Sequence, residues 1–273
     1  MLATDTTVDE LISVCIARQV QDGEMLAQGI NTPLVMAGFI LAQMTHAPNV
    51  RFASAIGQSI CREPAPLGVG RVEEQWLGKG LIHLGFVSAA ADLLPQFNPK
   101  EFFRPAQVDA VGNFNNIAFG RDYAKPRMRL PGSGGIPDVT TYSEHVYLYV
   151  PRHSRVTFAP KLDFISGMGH VPHRQRGKGP LYLISDLGQF DWHEGIMRVT
   201  SLHHGVSFED VQRKTGFSLA VAPDLVQTAP PTVEEVRLLR EVIDPLGVRK
   251  LELLGGTARR DLLREILEKE GAL

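Results

Sequence analysis

Apolar residues recur at helical spacing from the start of the chain: Val8, Leu11, Ile12, Cys15, Ile16 and Val20. That period predicts an amphipathic helix. Thr7 and Glu10 stand three apart ahead of it, the capping-box spacing in which each side chain takes the other's orphan backbone amide. Gly23 ends the helix, and "EMLAQG" then reads as a short strand. "NTPLVMAGFILAQMTHAP" reads as a second helix, with Asn31 or Thr32 as cap, Pro33 in the first turn and Pro48 past the end. "NVRFASAIG" reads as a strand closing on Gly57. This alternation of helix and strand favours a mostly parallel sheet covered by helices.

From about position 80 to 160 the pattern changes to short strand signals, "LIHLGFV", "AQVDAVGNFNNIAFG", "HVYLYVP" and "RVTFAP", punctuated at Asp109 to Asn113 and at Gly132 to Gly135. "HVPHRQRGKGP" reads as a polar, basic loop. "LYLISDLGQFDWHEGIMRVTSLHHG" reads as two strands, with one turn around Gly188 and another near His193 to Gly195. Ser207 opens a short helix, and Thr232 caps another that carries Val236, Leu239, Val242 and Ile243. No internal repeat or low-complexity linker divides the chain, so residues 1–250 read as one α/β domain. Residues 251–273 hold a separate amphipathic helix, with Leu262, Leu263, Ile266 and Leu267 on one face and Glu265 and Lys269 four apart on the other.

The chain has 273 residues, 44% of them apolar and 21% charged, which fits a folded globular protein and argues against disorder. A net charge of −2 gives no electrostatic reason for nucleic acid or an anionic membrane as partner. Two cysteines, Cys15 and Cys61, form no disulfide framework and fit a reducing cytoplasm. "MLATDTTVDELIS" has no basic region, so no secretory signal is expected, and "LVMAGFILAQM" is too short to span a bilayer.

Several segments are candidates for chemistry. In "LPGSGGIPDV", Gly132, Ser133, Gly134 and Gly135 stand between two prolines. Glycine serves where a backbone must turn through positive φ or lie close to something else, so the stretch is either a ligand loop or a plain turn. His170 and His173 are spaced H-x-x-H, and His203 and His204 are adjacent. Neither pair has a third ligand at zinc spacing, and no metal is expected. Arg174, Arg176 and Lys178 either meet phosphates or belong to a solvated loop.

Taken in order, "AQVDAVGNFNN", "PGSGGIPDVTTYS", "SDLGQFDW" with "MRVTSLHHGVSFEDVQRKTGF", and "LLREVIDP" resemble the β subunit of family I coenzyme A transferases, the glutaconate CoA-transferase type, over roughly residues 8 to 247. The resemblance implies an open α/β fold, a mixed sheet with helices on both faces. It implies a CoA thioester as substrate, no permanently bound cofactor, and an α-type partner subunit that shares the active site. It places the Gly132–Gly135 loop close to the thioester, where successive backbone amides form a nest for a negatively charged oxygen. Gln107, Asn113 and Asn115 fall near the cleft, and Gly57 and Gln58 fall at the substrate.

The resemblance also exposes a departure. The family nucleophile is a β-subunit glutamate in a Glu-x-Gly pattern at the end of the strand after the second helix. Matching the glycine to Gly57 puts Ala55 there, and alanine cannot attack a thioester. Glu63, Glu73 and Glu74 read as loop or cap residues, and Ser54 and Ser59 have no evident base. The CoA-ester hydrolases that open the last rings in bacterial steroid degradation resemble the same family and lack the same glutamate, with an α-subunit glutamate as the expected general base. The expected activity is therefore hydrolysis or ring-opening of an acyl-CoA. CoA transfer and a non-catalytic scaffold subunit are the alternatives, and a sugar-phosphate isomerase of related fold is the weakest.

Overall fold

The computed structural model describes the chain except residues 30–31, 55–57, 64–65, 71–75, 77, 89–91 and 93. The polypeptide forms two compact units. Met1–Ala89, Pro99–Glu101 and Ala229–Leu273 make the first; Ala90–Asn98 and Phe102–Thr228 make the second. The principal helices are α1 (Val8–Ala17), α2 (Pro33–Thr45), α3 (Ile136–Tyr142), α4 (Phe208–Lys214), α5 (Val233–Arg237) and α6 (Gly256–Lys269). The strands are β1 (Met25–Gln28), β2 (Arg51–Ser54), β3 (Ser59–Cys61), β4 (Gly80–His83), β5 (Lys100–Phe103), β6 (Gln107–Val108), β7 (Phe114–Asn115), β8 (Ala118–Phe119), β9 (Met128–Arg129), β10 (Val146–Val150), β11 (Pro180–Ser185), β12 (Gly188–His193), β13 (Ile196–Leu202) and β14 (Ala220–Gln227).

In the first unit, α1, β1, α2 and β2 follow the predicted alternation. The Thr7 amide donates to Glu10 Oε2 at 2.9 Å and starts α1. Asn31, one of two expected caps for α2, lies outside the described residues; Thr32 stands at the cap position. Helix α2 is buried from Pro33 to Ala42 and packs on α1. A Cβ on Gly38 would come within 2.6 Å of the Ser13 carbonyl, so only glycine permits that approach. Strand β1 runs parallel to β2, with Ala27 opposite Ala53 and Gln28 opposite Ser54, and parallel to β5, with Leu26 opposite Lys100 and Ala27 opposite Glu101. Strands β3 and β4 continue antiparallel beyond β2. The expected strand "LIHLGFV" ends at His83, and Phe86–Ser88 turn helically.

The end of the chain returns to this unit. Thr232 and Glu235 form the capping box of α5, and the following Leu238–Ile243 winds as a wider π-helix. That winding breaks the 3.6-residue period, and Val242, expected on the apolar face, is exposed. Ile266 of α6 is fully buried with Val248 and Leu251, and Leu262 and Leu263 pack beside them. Arg249 is fully buried against Asp9 at 2.7 Å, Glu10 at 3.2 Å and Asp244 at 2.8 Å.

In the second unit β10 and β11 are parallel, β12 and β13 follow antiparallel, and β14 returns parallel to β13 after α4. The segment read as two strands holds three: the turn expected around Gly188 falls at Asp186 and Leu187 and separates β11 from β12, and the one at Glu194 and Gly195 separates β12 from β13. "RVTFAP" is not a strand; Phe158 makes a single bridge to Val108 and points into a core with Phe114, Leu148, Leu183, Phe190 and Val199. The antiparallel pair β6–β7 carries the "AQVDAVGNFNN" region, and the pair β8–β9 follows it.

Candidate functional site

Gln107 and Asn115 are opposed across the β6–β7 pair. Asn115 is completely buried; its Nδ2 donates to Gln107 Oε1 at 2.7 Å and to the Ala118 carbonyl at 2.8 Å, while its Oδ1 accepts the Ile117 amide at 2.8 Å. Gln107 Oε1 also accepts the Asp163 amide at 3.1 Å. Asn113 donates from Nδ2 to Asp109 Oδ2 at 3.0 Å and accepts the Gly169 amide at 2.8 Å. Burial raises the Asp109 carboxyl, and its bonds from Asn113, Val111 and Gly112 pull it the other way. All three predicted polar residues thus meet chain groups, which is how buried amides are ordinarily satisfied. They shape the segment from within.

The glycine loop is attached to the same framework. The Gly132 amide donates to the Asn116 carbonyl at 3.0 Å, and the Leu130 amide to the Ile117 carbonyl at 3.1 Å. Gly132 and Gly135 have φ of 108° and 76°, values that only glycine holds without strain. Gly135 then leads into α3. Among the described residues no group accepts from the amides of Ser133, Gly134 or Gly135. A Cβ on Gly132, Gly134 or Gly135 would meet nothing within 4 Å. Three successive amides without partners beside open space are what a nest for an oxyanion requires.

Arg174, one of three basic residues weighed for phosphate, is engaged elsewhere. Its guanidinium donates to the carbonyls of Gly169 at 3.0 Å, Thr140 at 2.8 Å, Thr141 at 3.2 Å and Arg176 at 2.9 Å, and to that of Met168. It fastens the last turn of α3 to the segment at Met168 and Gly169, whose Gly169 amide donates to Asn113, so the two segments most specific to the family resemblance are joined by hydrogen bonds. Lys178 pairs with Glu144 at 3.3 Å on the surface. Of the four candidate histidines, His170 and His203 are likewise committed. His170 Nε2 donates to the Pro180 carbonyl at 2.8 Å with its ring on Trp192, and His203 lies between the Ser185 carbonyl and Thr228 at 2.9 Å each. Burial lowers both imidazoles.

In the first unit Ala55, Gly57, Glu73 and Glu74 lie outside the described residues. Gln58 is exposed, with φ of 43°, and its carbonyl accepts the Leu84 amide at 2.8 Å. A left-handed glutamine is a strained position of the kind found in binding turns. Glu63 is exposed. Glu101 was not legible in the apolar pattern, because "KEFF" opens on two charges. It keeps part of its surface open, yet burial pushes its carboxyl up to about 7. The signal that finds it is the register beside β1, not the sequence.

The pattern of the coenzyme A transferase family matches residues 10–214. The chain belongs to the coenzyme A transferase family. Within it, the chain is 33% identical over 259 residues to the β subunit of 3-oxoadipate CoA-transferase of Pseudomonas knackmussii, covering 86% of this chain and 92% of that one. It is 28% identical to the β subunit of glutaconate CoA-transferase of Acidaminococcus fermentans over 89% of this chain and 94% of the relative. It is 29% identical to the cholesterol ring-cleaving hydrolase IpdB subunit of Rhodococcus jostii over 85% of this chain and 89% of the relative. Among solved structures, the decarboxylase AibA/AibB superposes with a TM-score of 0.79 at 28% identity, over 92% of this chain and 100% of the matched one. These coenzyme A transferase relatives include transferases, a hydrolase and a decarboxylase, so the shared fold carries more than one reaction. No helix among the described residues is long and apolar enough to cross a membrane.

Proposed function

We propose that this chain is the β-type subunit of a two-chain enzyme that opens an acyl-CoA thioester by hydrolysis or ring cleavage, in the cytoplasm, with an α-type subunit contributing a carboxylate to the shared site. The observation that carries the choice is Ala55: the position where family transferases hold their attacking glutamate has no nucleophile. The loop at Gly132–Gly135 supports the reading, since its three amides without partners fit the oxyanion that forms when water or an enolate works on the thioester carbonyl. Gln107, Asn113 and Asn115 hold that loop in place rather than touch the thioester. Gln58 stands ready for substrate by its strained backbone. Two buried free thiols, Cys15 and Cys61, fit a reducing compartment.

CoA transfer is the second reading, favoured by the transferase relative at 33% identity. The complex, purified with its partner, is incubated with acetyl-, succinyl- and glutaryl-CoA, with and without added carboxylate acceptors, and trapped with hydroxylamine. Thiol release that needs no acceptor, without an adduct on this chain, is the expected result. Acceptor-dependent exchange with a stoichiometric glutamyl-CoA adduct overturns it.

A further inference from the structure

Glu101 lies in the second strand of a parallel pair, and its carboxyl makes no hydrogen bond or ion pair among the described residues. The next residue back, Lys100, is by contrast locked to Glu24 at 2.7 Å. The register fixes where Glu101 points. Ala27 lies opposite Glu101 on one side and opposite Ala53 on the other, and directly opposed residues project from the same face of a sheet. Glu101 therefore shares its face with two small side chains. Two residues past Ala27 comes Gly29, where a Cβ would stand 3.7 Å from Glu101 Oε1. The carboxylate thus leans toward the carboxyl end of β1, over a row of alanines and a glycine, all of them small. Ligands of open α/β sheets bind at the carboxyl ends of the strands. In the sequence the family's nucleophile position, Ala55, follows two residues after Ala53.

We propose that Glu101 is this chain's own acid–base carboxylate for the acyl-CoA thioester, set two strands across the sheet from the strand that leads to the alanine at the family's nucleophile position. The inference rests on the CoA-thioester reading and adds a second carboxylate to the one expected from the partner. Ionised Glu101 takes a proton from water as the water oxygen bonds to the thioester carbonyl carbon. When the tetrahedral adduct collapses, the carbon–sulfur bond breaks and Glu101 returns that proton to the departing thiolate, leaving a carboxylic acid and free CoA. A carboxyl raised by burial to about 7 can both accept and return a proton near neutral pH. Two carboxyls whose surroundings set their pKa values apart divide the acid and base roles.

The test uses the complex with its partner, labelled with glutamate carrying carbon-13 at the side-chain carboxyl, and Glu101→Gln to assign the signal. Carboxyl NMR is followed from pH 5 to 9 with and without coenzyme A as probe. The expected midpoint lies near 7 and moves by at least about half a pH unit when coenzyme A binds, because its phosphates and thiol alter the local field. On whichever of acetyl-, succinyl- or glutaryl-CoA the wild type opens fastest, Glu101→Gln is expected to lower kcat about 100-fold with KM within threefold. Glu101→Asp is expected to restore part of kcat with a displaced pH limb. Coenzyme A binding that leaves the Glu101 midpoint in place, or a Glu101→Gln kcat equal to wild type, overturns the role of Glu101 and leaves the CoA-thioester reading standing. Absence of coenzyme A binding overturns both.

Discussion

Asn115 Nδ2 donates to Gln107 Oε1 at 2.7 Å inside the second unit, and its remaining amide hydrogen reaches the Ala118 carbonyl. A completely buried side chain thereby uses its whole donor capacity on the chain. Asn115→Ala leaves Gln107, the Ala118 carbonyl and the Ile117 amide each short of one partner. Each unmet buried group costs about 1–3 kcal/mol, and partial relaxation brings the expected total to about 2–4 kcal/mol. Urea denaturation of wild type and variant measures it; a loss under about 1 kcal/mol would show that water replaces the amide.

Gly134 and Gly135 separate function from fold. Gly134 has ordinary backbone angles and open space around its Cβ direction, whereas Gly135 has φ of 76°. Gly134→Val should leave Tm within about 2 °C while turnover falls at least about tenfold. Gly135→Val should lose about 1–3 kcal/mol of stability as well. Equal losses of activity and Tm at Gly134 would mark the loop as a turn only.

Ala55→Glu restores the family side chain. If the site is built around water or a ring of the substrate, the new carboxylate occupies that space and repels neighbouring carboxylates. Turnover should fall at least about tenfold, equivalent to ~1.4 kcal/mol of barrier, with no covalent adduct in the mass spectrum. An adduct together with acquired transfer activity would make this chain a transferase lacking one residue.

His153 is buried with its ring stacked on Phe158 at 3.6 Å, and burial pushes its imidazole down to about 3. Its ring nitrogens meet Ser185 and Thr215. The folded state holds it neutral, while the unfolded chain protonates near 6.5. Its contribution is complete above that value and is lost as pH falls from about 6.5 toward 3, at about 1.4 kcal/mol per pH unit. His153→Gln should flatten the slope in denaturant titrations run between pH 6.5 and 4. An unchanged slope would show that other groups govern the acid limb.

Arg249 stands among Asp9, Glu10 and Asp244, all buried. Burial raises the Asp244 carboxyl and Arg249 lowers it. Arg249→Met leaves Asp9 and Asp244 without their cation and Glu10 with Arg240 alone, and the loss should reach about 3–5 kcal/mol. Thermal unfolding at pH 7.5 and 5 checks the sign, because protonating the orphaned carboxyls should recover part of the loss at the lower pH.

The first half of the first unit was legible because its signals are local. Thr7 and Glu10 meet as their spacing predicts, and β1, α2 and β2 appear in order. Strand β5 was not legible because Lys100 and Glu101 break the apolar pattern; Lys100 is accommodated by Glu24 and the Gln19 carbonyl, about eighty positions away. Phe158 gave the opposite error. "RVTFAP" has strand-forming residues, but what holds Phe158 is a core contributed by distant strands. The glycine loop and the "AQVDAVGNFNN" segment were recognisable separately. Their junction was not, because it runs through main-chain carbonyls and Arg174, which a sequence pattern reads as a loop charge.

A guanidinium that binds only main-chain carbonyls is indifferent to which side chains those residues carry. Thr141, Met168 and Arg176 each offer Arg174 a carbonyl and nothing else that it uses. Those positions are free to diverge between relatives, while position 174 itself has no substitute, since lysine lacks the planar fork. Mutational tolerance around this segment should be sharply uneven, with one intolerant residue amid permissive neighbours.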